Sequence, residues 1–409
     1  MIERSDLVAL DRTDPLAKFR DRFALPEETI YLDGNSLGAL PKATPARIGR
    51  VVSHEWGQSL IRAWDEHDWI GMPLRIGEKI GRLIGAAPQS TVVADSTSVN
   101  LFKLLSAALT LQSGRTVILT EAGNFPSDLY IAQGLATLLG RGHSLRAVDD
   151  PMAALGPEVA VLMLTHVNYR TGAMHDIAVL TRAAHAAGAL VLWDLSHSVG
   201  AVPLRLGADD VDFAVGCGYK YLNGGPGAPA FLSVAPRLQA TLRMPLTGWL
   251  GHTEPFAFAP NYRPAEGIAR AIVGTPPVLS LAALEVGVDL LAEAPMAVLR
   301  DKSLRLTALV MDLIGQECAG CGFEPLTPRE PERRGSQVSF AHPDGYAIMQ
   351  ALIAHGVIGD FRAPDVLRFG LAPLYLRFVD IWDAVATLRA VTRSGEWREE
   401  RFAVRRSIT

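Results

Sequence analysis

The sequence predicts an α/β fold: a mainly parallel sheet with helices on both faces, followed by a smaller α+β unit. Three observations predict it. Between residues 91 and 234, seven short apolar runs recur, at 91–94, 116–119, 145–148, 159–165, 189–194, 212–216 and 230–234. Runs of that length, apolar throughout, read as strands buried on both faces. Helical periodicity fills several of the gaps, as at 99–111 and 177–187, the second stopped by Gly188. From residue 337 the order changes to strand (337–341), helix (346–355), strands (357–362 and 366–369) and a closing helix (380–392). That is the pattern of an α+β layer.

The remaining elements follow in chain order. The first 70 or so residues read as irregular, rich in Pro and aromatics, with turns at Asp14-Pro15 and Leu40-Pro41. Residues 278–315 read as one long helical stretch leading into the second unit. No repeat, low-complexity tract or polar linker interrupts the chain. At 409 residues and roughly 150 per domain, two or three domains are expected. Hydrophobic residues make up 49%, ample for a sizeable core. The net charge is −4, from 39 basic and 43 acidic residues interspersed along the chain. That balance argues against nucleic-acid and membrane-surface partners, which call for a basic stripe. No apolar run approaches the ~18 residues of a transmembrane helix, and the charged N-terminus lacks a signal-peptide core. Three cysteines do not make a disulfide framework. A cytoplasmic enzyme is the expectation.

In a doubly wound sheet, ligands collect beyond the carboxyl ends of the strands. The glycine patterns of nucleotide-binding loops are missing there, which removes their usual support. The first strand is followed by Asp95-Ser96-Thr97-Ser98 entering a helix. Hydroxyls and free N–H groups at such a start suit a phosphate, and an ordinary N-cap is the alternative. The second strand leads to Gly123-Asn124-Phe125-Pro126-Ser127-Asp128, where Phe125 either stacks on a flat ring or serves as a core staple. Asp194 ends an apolar strand before Leu195-Ser196-His197-Ser198. It needs a cation or several donors there, unless it caps a helix. Lys220 lies between Tyr219 and Tyr221 in a Gly-rich loop after the next strand. A solvated turn lysine is the alternative. A lysine and a strand-end carboxylate are what pyridoxal phosphate requires: one amine for a Schiff base, one anion on the pyridinium nitrogen.

These residues resemble those of the kynureninase family, within the fold-type I (class V-like) pyridoxal phosphate enzymes. Five motifs carry the resemblance in order: Tyr31-Leu32-Asp33-Gly34-Asn35-Ser36-Leu37-Gly38, Asn124-Phe125-Pro126-Ser127-Asp128, Trp193-Asp194-Leu195-Ser196-His197-Ser198, Gly218-Tyr219-Lys220-Tyr221-Leu222-Asn223-Gly224-Gly225-Pro226-Gly227, and Arg368-Phe369-Gly370-Leu371-Ala372-Pro373-Leu374-Tyr375. They span most of the chain. The resemblance implies pyridoxal 5'-phosphate bound through Lys220, with Asp194 on the ring nitrogen, His197 near the ring and Phe125 stacked on it. Thr97, Ser98, Pro126, Ser127, Asp128 and Tyr219 would contact the cofactor. Trp249 and Thr275, from the second subunit of a homodimer, would complete the phosphate side. Arg368 would clamp the substrate α-carboxylate, a task suited to a planar bidentate cation. Spacing alone makes a snorkelling strand arginine the commoner case. Ser36 and Trp64 would face the substrate's aryl group, joined by Thr275 and more weakly by His252. Trp64 has a lid or interface role as its alternative.

The implied reaction is hydrolytic Cβ–Cγ cleavage of L-kynurenine to anthranilate and L-alanine. Lys220 would move the α-proton and Tyr219 would protonate the departing carbon. Bulky Trp64 and short Thr275 favour kynurenine, with 3-hydroxykynurenine as a further substrate. The implied division is an N-terminal segment (1–70) packing on the small domain or a dimer interface, a large cofactor-binding domain (71–290) and a small α+β domain (291–409). The main alternative is a cysteine desulfurase, which requires a mobile exposed Cys; Cys318-Ala319-Gly320-Cys321 at a helix end does not resemble one. One CxxC pair is also too few ligands for zinc, so no metal is expected. A non-catalytic cofactor-sensing module would carry a basic DNA-reading segment, and none is visible. His143, His185 and His355 read as structural, whereas His166 and Asn168 follow a strand within reach of the ring.

Overall fold

The computed structural model describes residues 2–405. After a two-residue strand β1 (Ile30–Tyr31) come β2 (Thr91–Val93), β3 (Val117–Glu121), β4 (Ser144–Val148), β5 (Val159–Thr165), β6 (Leu190–Asp194), β7 (Phe213–Gly216) and β8 (Phe231–Val234). Strands β2 to β8 form one sheet in the order β2-β8-β7-β6-β5-β3-β4. Strand β8 pairs antiparallel with both β7 and β2, while the pairings from β7 to β4 are all parallel. The seven expected strands are all present, and the sheet is mainly parallel.

Strand β5 is buried at every position. From Val161 to Leu164 its side chains alternate between two cores, as the strand period of two requires. Val161 and Met163 face Leu101, Leu104 and Leu105 of the helix Thr97–Leu111. Leu162 and Leu164 face the opposite core, which holds Leu180 from Ile177–Ala186 and Leu281, Leu284 and Val288 from Val278–Ala292.

The expected single helix at 278–315 is two, Val278–Ala292 and Met296–Glu317, broken at Pro295. Proline there has no N–H to continue the ladder. The first of these helices presses on the Lys220 loop. A Cβ at Gly287 would lie 2.1 Å from the Leu222 carbonyl oxygen. Gly287→Ala is therefore expected to lower stability by about 2 kcal/mol through overpacking, read as a lower urea midpoint with an unchanged slope.

The small sheet is antiparallel, ordered β12-β13-β10-β9 from β9 (Glu324–Pro325), β10 (Gln337–Ala341), β12 (Asp360–Arg362) and β13 (Val366–Gly370). The expected strand at 357–362 splits at Gly359. Its first part, β11 (Val357–Ile358), pairs parallel with β1 instead. At Gly359 a Cβ would lie 2.8 Å from the Arg368 carbonyl, so the chain turns where only glycine fits.

The N-terminal residues are more helical than their composition suggests, with helices Arg4–Arg12 and Thr44–Arg50 and a π-helical turn, Val51–Trp56. Long-range contacts hold them. Asp11 accepts the N–H groups of Phe378 and Val379 at 2.6 and 3.0 Å, and buried Lys302 pairs with Asp14 at 2.6 Å.

Candidate active site

The carboxyl ends of β3, β5, β6 and β7 open on one side of the sheet, as parallel pairing demands. Strand β6 delivers Asp194 there, and the 195–199 segment after it is a turn rather than a helix. The helix-cap alternative for Asp194 is thus not realised. Its carboxylate accepts the Ser196 N–H at 2.8 Å and, among the described residues, forms no ion pair. Burial pushes its carboxyl up from the ordinary range, against the pull of the Ser196 hydrogen bond and of Lys220. Asp128, in the first turn of the helix Pro126–Leu139, is equally buried and is pushed up by burial and then by the Asp194 charge. Thr165 at the end of β5 donates to Asp128 at 3.4 Å and also to Asn124.

Lys220 is partly buried, not a solvated turn residue. Its Nζ lies 2.8 Å from Nε2 of buried His197. Burial, then the Lys220 charge, holds the imidazole well below its usual pKa, so it is neutral at pH 7. The Phe125 and Tyr219 ring centroids are 6.0 and 5.9 Å from Nζ. Phe125 is 38% exposed and meets Tyr169 edge-on, so it is not a core staple. Burial and the neighbouring Cys217 push the Tyr219 phenol up, which keeps it protonated. At the start of Thr97–Leu111 the cap is Ser96, whose Oγ accepts the Val99 N–H at 3.3 Å. The Thr97 and Ser98 hydroxyls are left out of the cap, on the first turn of a 15-residue helix.

The fit to pyridoxal phosphate rests on these groups. A primary amine stands close to two buried carboxyls short of positive charge, which a protonated ring nitrogen would supply. An exposed aromatic ring and two helix starts with free N–H groups lie around them. His166 and Asn168 serve the frame instead: His166 bonds Ser198 Oγ at 2.8 Å, with burial holding it down to about 3, and Asn168 donates to Gly123 O at 3.0 Å.

Arg368, on β13, is buried directly opposite Asp360 on β12. Its Nε donates to Asp360 Oδ1 at 2.6 Å, and Nη2 reaches Asp360 Oδ2 and, at 3.0 Å, Ser36 Oγ. Nη1 donates to the Tyr169 carbonyl. Ser36 in turn donates to Asp360 at 2.7 Å, and Arg362 reaches the same carboxylate at 2.8 Å. Asp360, Arg362 and Asp33 were missed by reading strand ends alone. The signal was three charges, Asp360, Arg362 and Asp365, among apolar residues just before Arg368.

Trp64 and Thr275 come together in a different place. They line a cleft of about 400 Å³ with Trp56, Trp69 and the Pro276-Pro277 turn. Trp249 lies in the short turn Trp249–Gly251 against Phe256 and Phe258. Among the described residues, no hydrogen bond or ring contact joins Trp64, Trp249 or Thr275 to Lys220. His252 spends both ring nitrogens on its own loop, toward Asn261 O and the Glu254 N–H.

Comparison with known proteins decides the family. The chain is 52% identical over 416 residues to the kynureninase of Burkholderia mallei (strain SAVP1), covering all of both chains. It is 51% identical to that of Pseudomonas fluorescens, with the same coverage. The chain belongs to the kynureninase family. The family's C-terminal domain profile matches residues 299–388, which contain β10 to β13 and Arg368. Solved cysteine desulfurases share the fold of this kynureninase-family chain. The apo enzyme of Thermococcus onnurineus NA1 has TM-score 0.79 at 17% identity, covering 92% of this chain and 98% of its own. One from Escherichia coli has TM-score 0.75 at 20% identity, covering 93% and 98%. The expected fold-type I architecture is therefore the observed one.

Proposed function

We propose that this chain hydrolyses L-kynurenine to anthranilate and L-alanine with pyridoxal 5'-phosphate held at Lys220. The observation that carries the reading is the Lys220 amine, 2.8 Å from a neutral His197 and beside the buried carboxyls of Asp194 and Asp128. When bound, the cofactor supplies an aldehyde for amines and an electron sink for a substrate carbanion. Asp194 would hold the ring nitrogen's proton. Phe125 would stack on the ring, and Thr97, Ser98, Ser127 and Tyr219 would take the phosphate, with Pro126 starting the second helix. Arg368 orients the substrate through its α-carboxylate, with Ser36 between it and Asp360. Lys220, once free, would accept the α-proton at Nζ and return a proton to Cα before alanine leaves. Water adds to the aryl ketone, and the bond between Cβ and the hydrated carbonyl carbon breaks to release anthranilate. Tyr219, kept protonated, delivers a proton to Cβ of the alanine fragment.

Tyr219→Phe is accordingly expected to slow kcat by about 10²-fold without abolishing cofactor binding. Steady-state anthranilate fluorescence and cofactor titration check the two halves. Anthranilate release from kynurenine, assayed beside sulfide release from cysteine, tests the reading itself. Sulfide alone would overturn it in favour of a desulfurase. Burial weighs against that outcome, since Cys217 and Cys318 are both buried and burial pushes the Cys318 thiol up to about 12.

The same reading makes the enzyme a cytoplasmic homodimer. No helix among the described residues is long and apolar enough to cross a membrane. The lack, among the described residues, of a hydrogen bond or ring contact between Lys220 and Trp64, Trp249 or Thr275 supports their donation to a second subunit's site. Exposed Trp56, Leu60 and Ile61 nearby offer apolar surface for it. The proposed domains are 1–70, 71–290 and 291–409, with β1 tying the first to the last. Sedimentation velocity tests the dimer.

A further inference from the structure

Asp33 follows β1 and bridges to Gly370 at the end of β13. Its Oδ1 is buried without a hydrogen-bond partner. Tyr31 and Ser36 face it from its own segment, Asp360 and Arg362 from β12, and Arg368 from β13. Tyr375 approaches from beyond β13 and Tyr221 from the Lys220 loop. The charged members are two carboxyls and two guanidiniums. Both guanidiniums are already committed to Asp360, as is the Ser36 hydroxyl.

A substrate α-carboxylate docking on Arg368 makes three anions against two cations in a buried space. Like charges at such range cannot all stay ionised. The two resident carboxyls have already parted. The Arg368 hydrogen bond and charge hold Asp360 below the ordinary range despite its burial, whereas burial and the Asp360 charge push Asp33 up to about 7. Asp33 is the group free to change.

We propose that Asp33 is a specificity-determining residue of the carboxylate clamp, taking up a proton from solvent when the substrate's α-carboxylate docks on Arg368. The inference rests on the reading of Arg368 given above. No other bond changes in this step. Binding of a carboxylate ligand is tightest below the Asp33 pKa, where the proton is already present. It weakens as pH rises, because the proton must then be drawn from solvent. A ligand without the carboxylate gains nothing from the proton.

The test uses the holoenzyme and 4-oxo-4-phenylbutanoate, an aryl ketone with the carboxylate but no amine to react at Lys220. Calorimetry in two buffers of different ionisation enthalpy counts protons taken up on binding. The expected result is net uptake above pH 7, with Kd rising about tenfold per pH unit there. Asp33→Asn should abolish the uptake and flatten the pH dependence, and butyrophenone, the same ketone without the acid, should bind with no uptake. Wild-type binding without uptake, or uptake that persists in Asp33→Asn, would overturn the inference and leave the clamp standing. Should Asp33→Asn fail to fold, Asp33→Ser, which also lacks a carboxyl, takes its place, and uptake that persists there overturns the inference. A probe bound equally by wild type and Arg368→Ala would overturn the clamp itself, and the inference with it.

Discussion

Lys220→Ala is expected to lose activity by roughly 10⁴-fold or more, and to lose the cofactor after borohydride treatment that fixes it covalently in the wild type. The physical reason is that Lys220 is the lysine with uncommitted nucleophilic character at the strand ends. Buried Lys103 and Lys302 are each tied to a carboxylate, Asp95 and Asp14, at 2.6 Å. Lys220 has no carboxylate within ion-pair distance among the described residues, and its nearest hydrogen-bond partner is the neutral His197. On the proposed reading, removing the amine removes both the point of attachment and the base for the α-proton. Absorbance of the holoenzyme, mass spectrometry after reduction and anthranilate fluorescence read the three consequences. Retained colour after reduction with normal turnover would sink the assignment.

Asp194→Asn is expected to lower kcat by about 10³-fold, equivalent to about 4 kcal/mol of barrier. The amide keeps the size and the acceptor for the Ser196 N–H. It removes the negative charge that a protonated ring nitrogen needs in a site where burial already opposes charge. The loss should fall on kcat rather than on KM, because the proposed reading holds the substrate carboxylate at a separate place, by Arg368 on β13. Stability should change in the opposite direction in the cofactor-free protein. Asp194 is a buried carboxyl whose pKa is raised on folding, so its charge costs the folded state above the unfolded carboxyl pKa, and the neutral amide avoids that cost. Urea unfolding of both apo proteins at pH 7 checks this.

Much of the candidate site was legible because each part obeys a local rule. Asp194 closes an apolar strand, Lys220 sits in a glycine-rich turn after the next, and hydroxyls open the helix Thr97–Leu111; all three are features of a few adjacent residues. Local context still left alternatives at each point. Whether Asp194 capped a helix, Phe125 stapled a core or Lys220 reached into solvent depended on neighbours far along the chain. Helix content before residue 70 was missed for the same reason, since Asp11 and Asp14 find their partners more than 280 residues away.

By itself the sequence determined the alternation of buried strands and helices, the carboxyl-end loops and the motif set that marks the family, because period and turn chemistry act over a handful of residues. Only the tertiary structure decided that β8 opposes its neighbours, that β1 joins β11, and that Asp33, Ser36, Asp360 and Arg362 gather around Arg368. Those outcomes are set by register between strands distant in the chain and by the cost of burying charge without a partner, and neither is written in any local stretch.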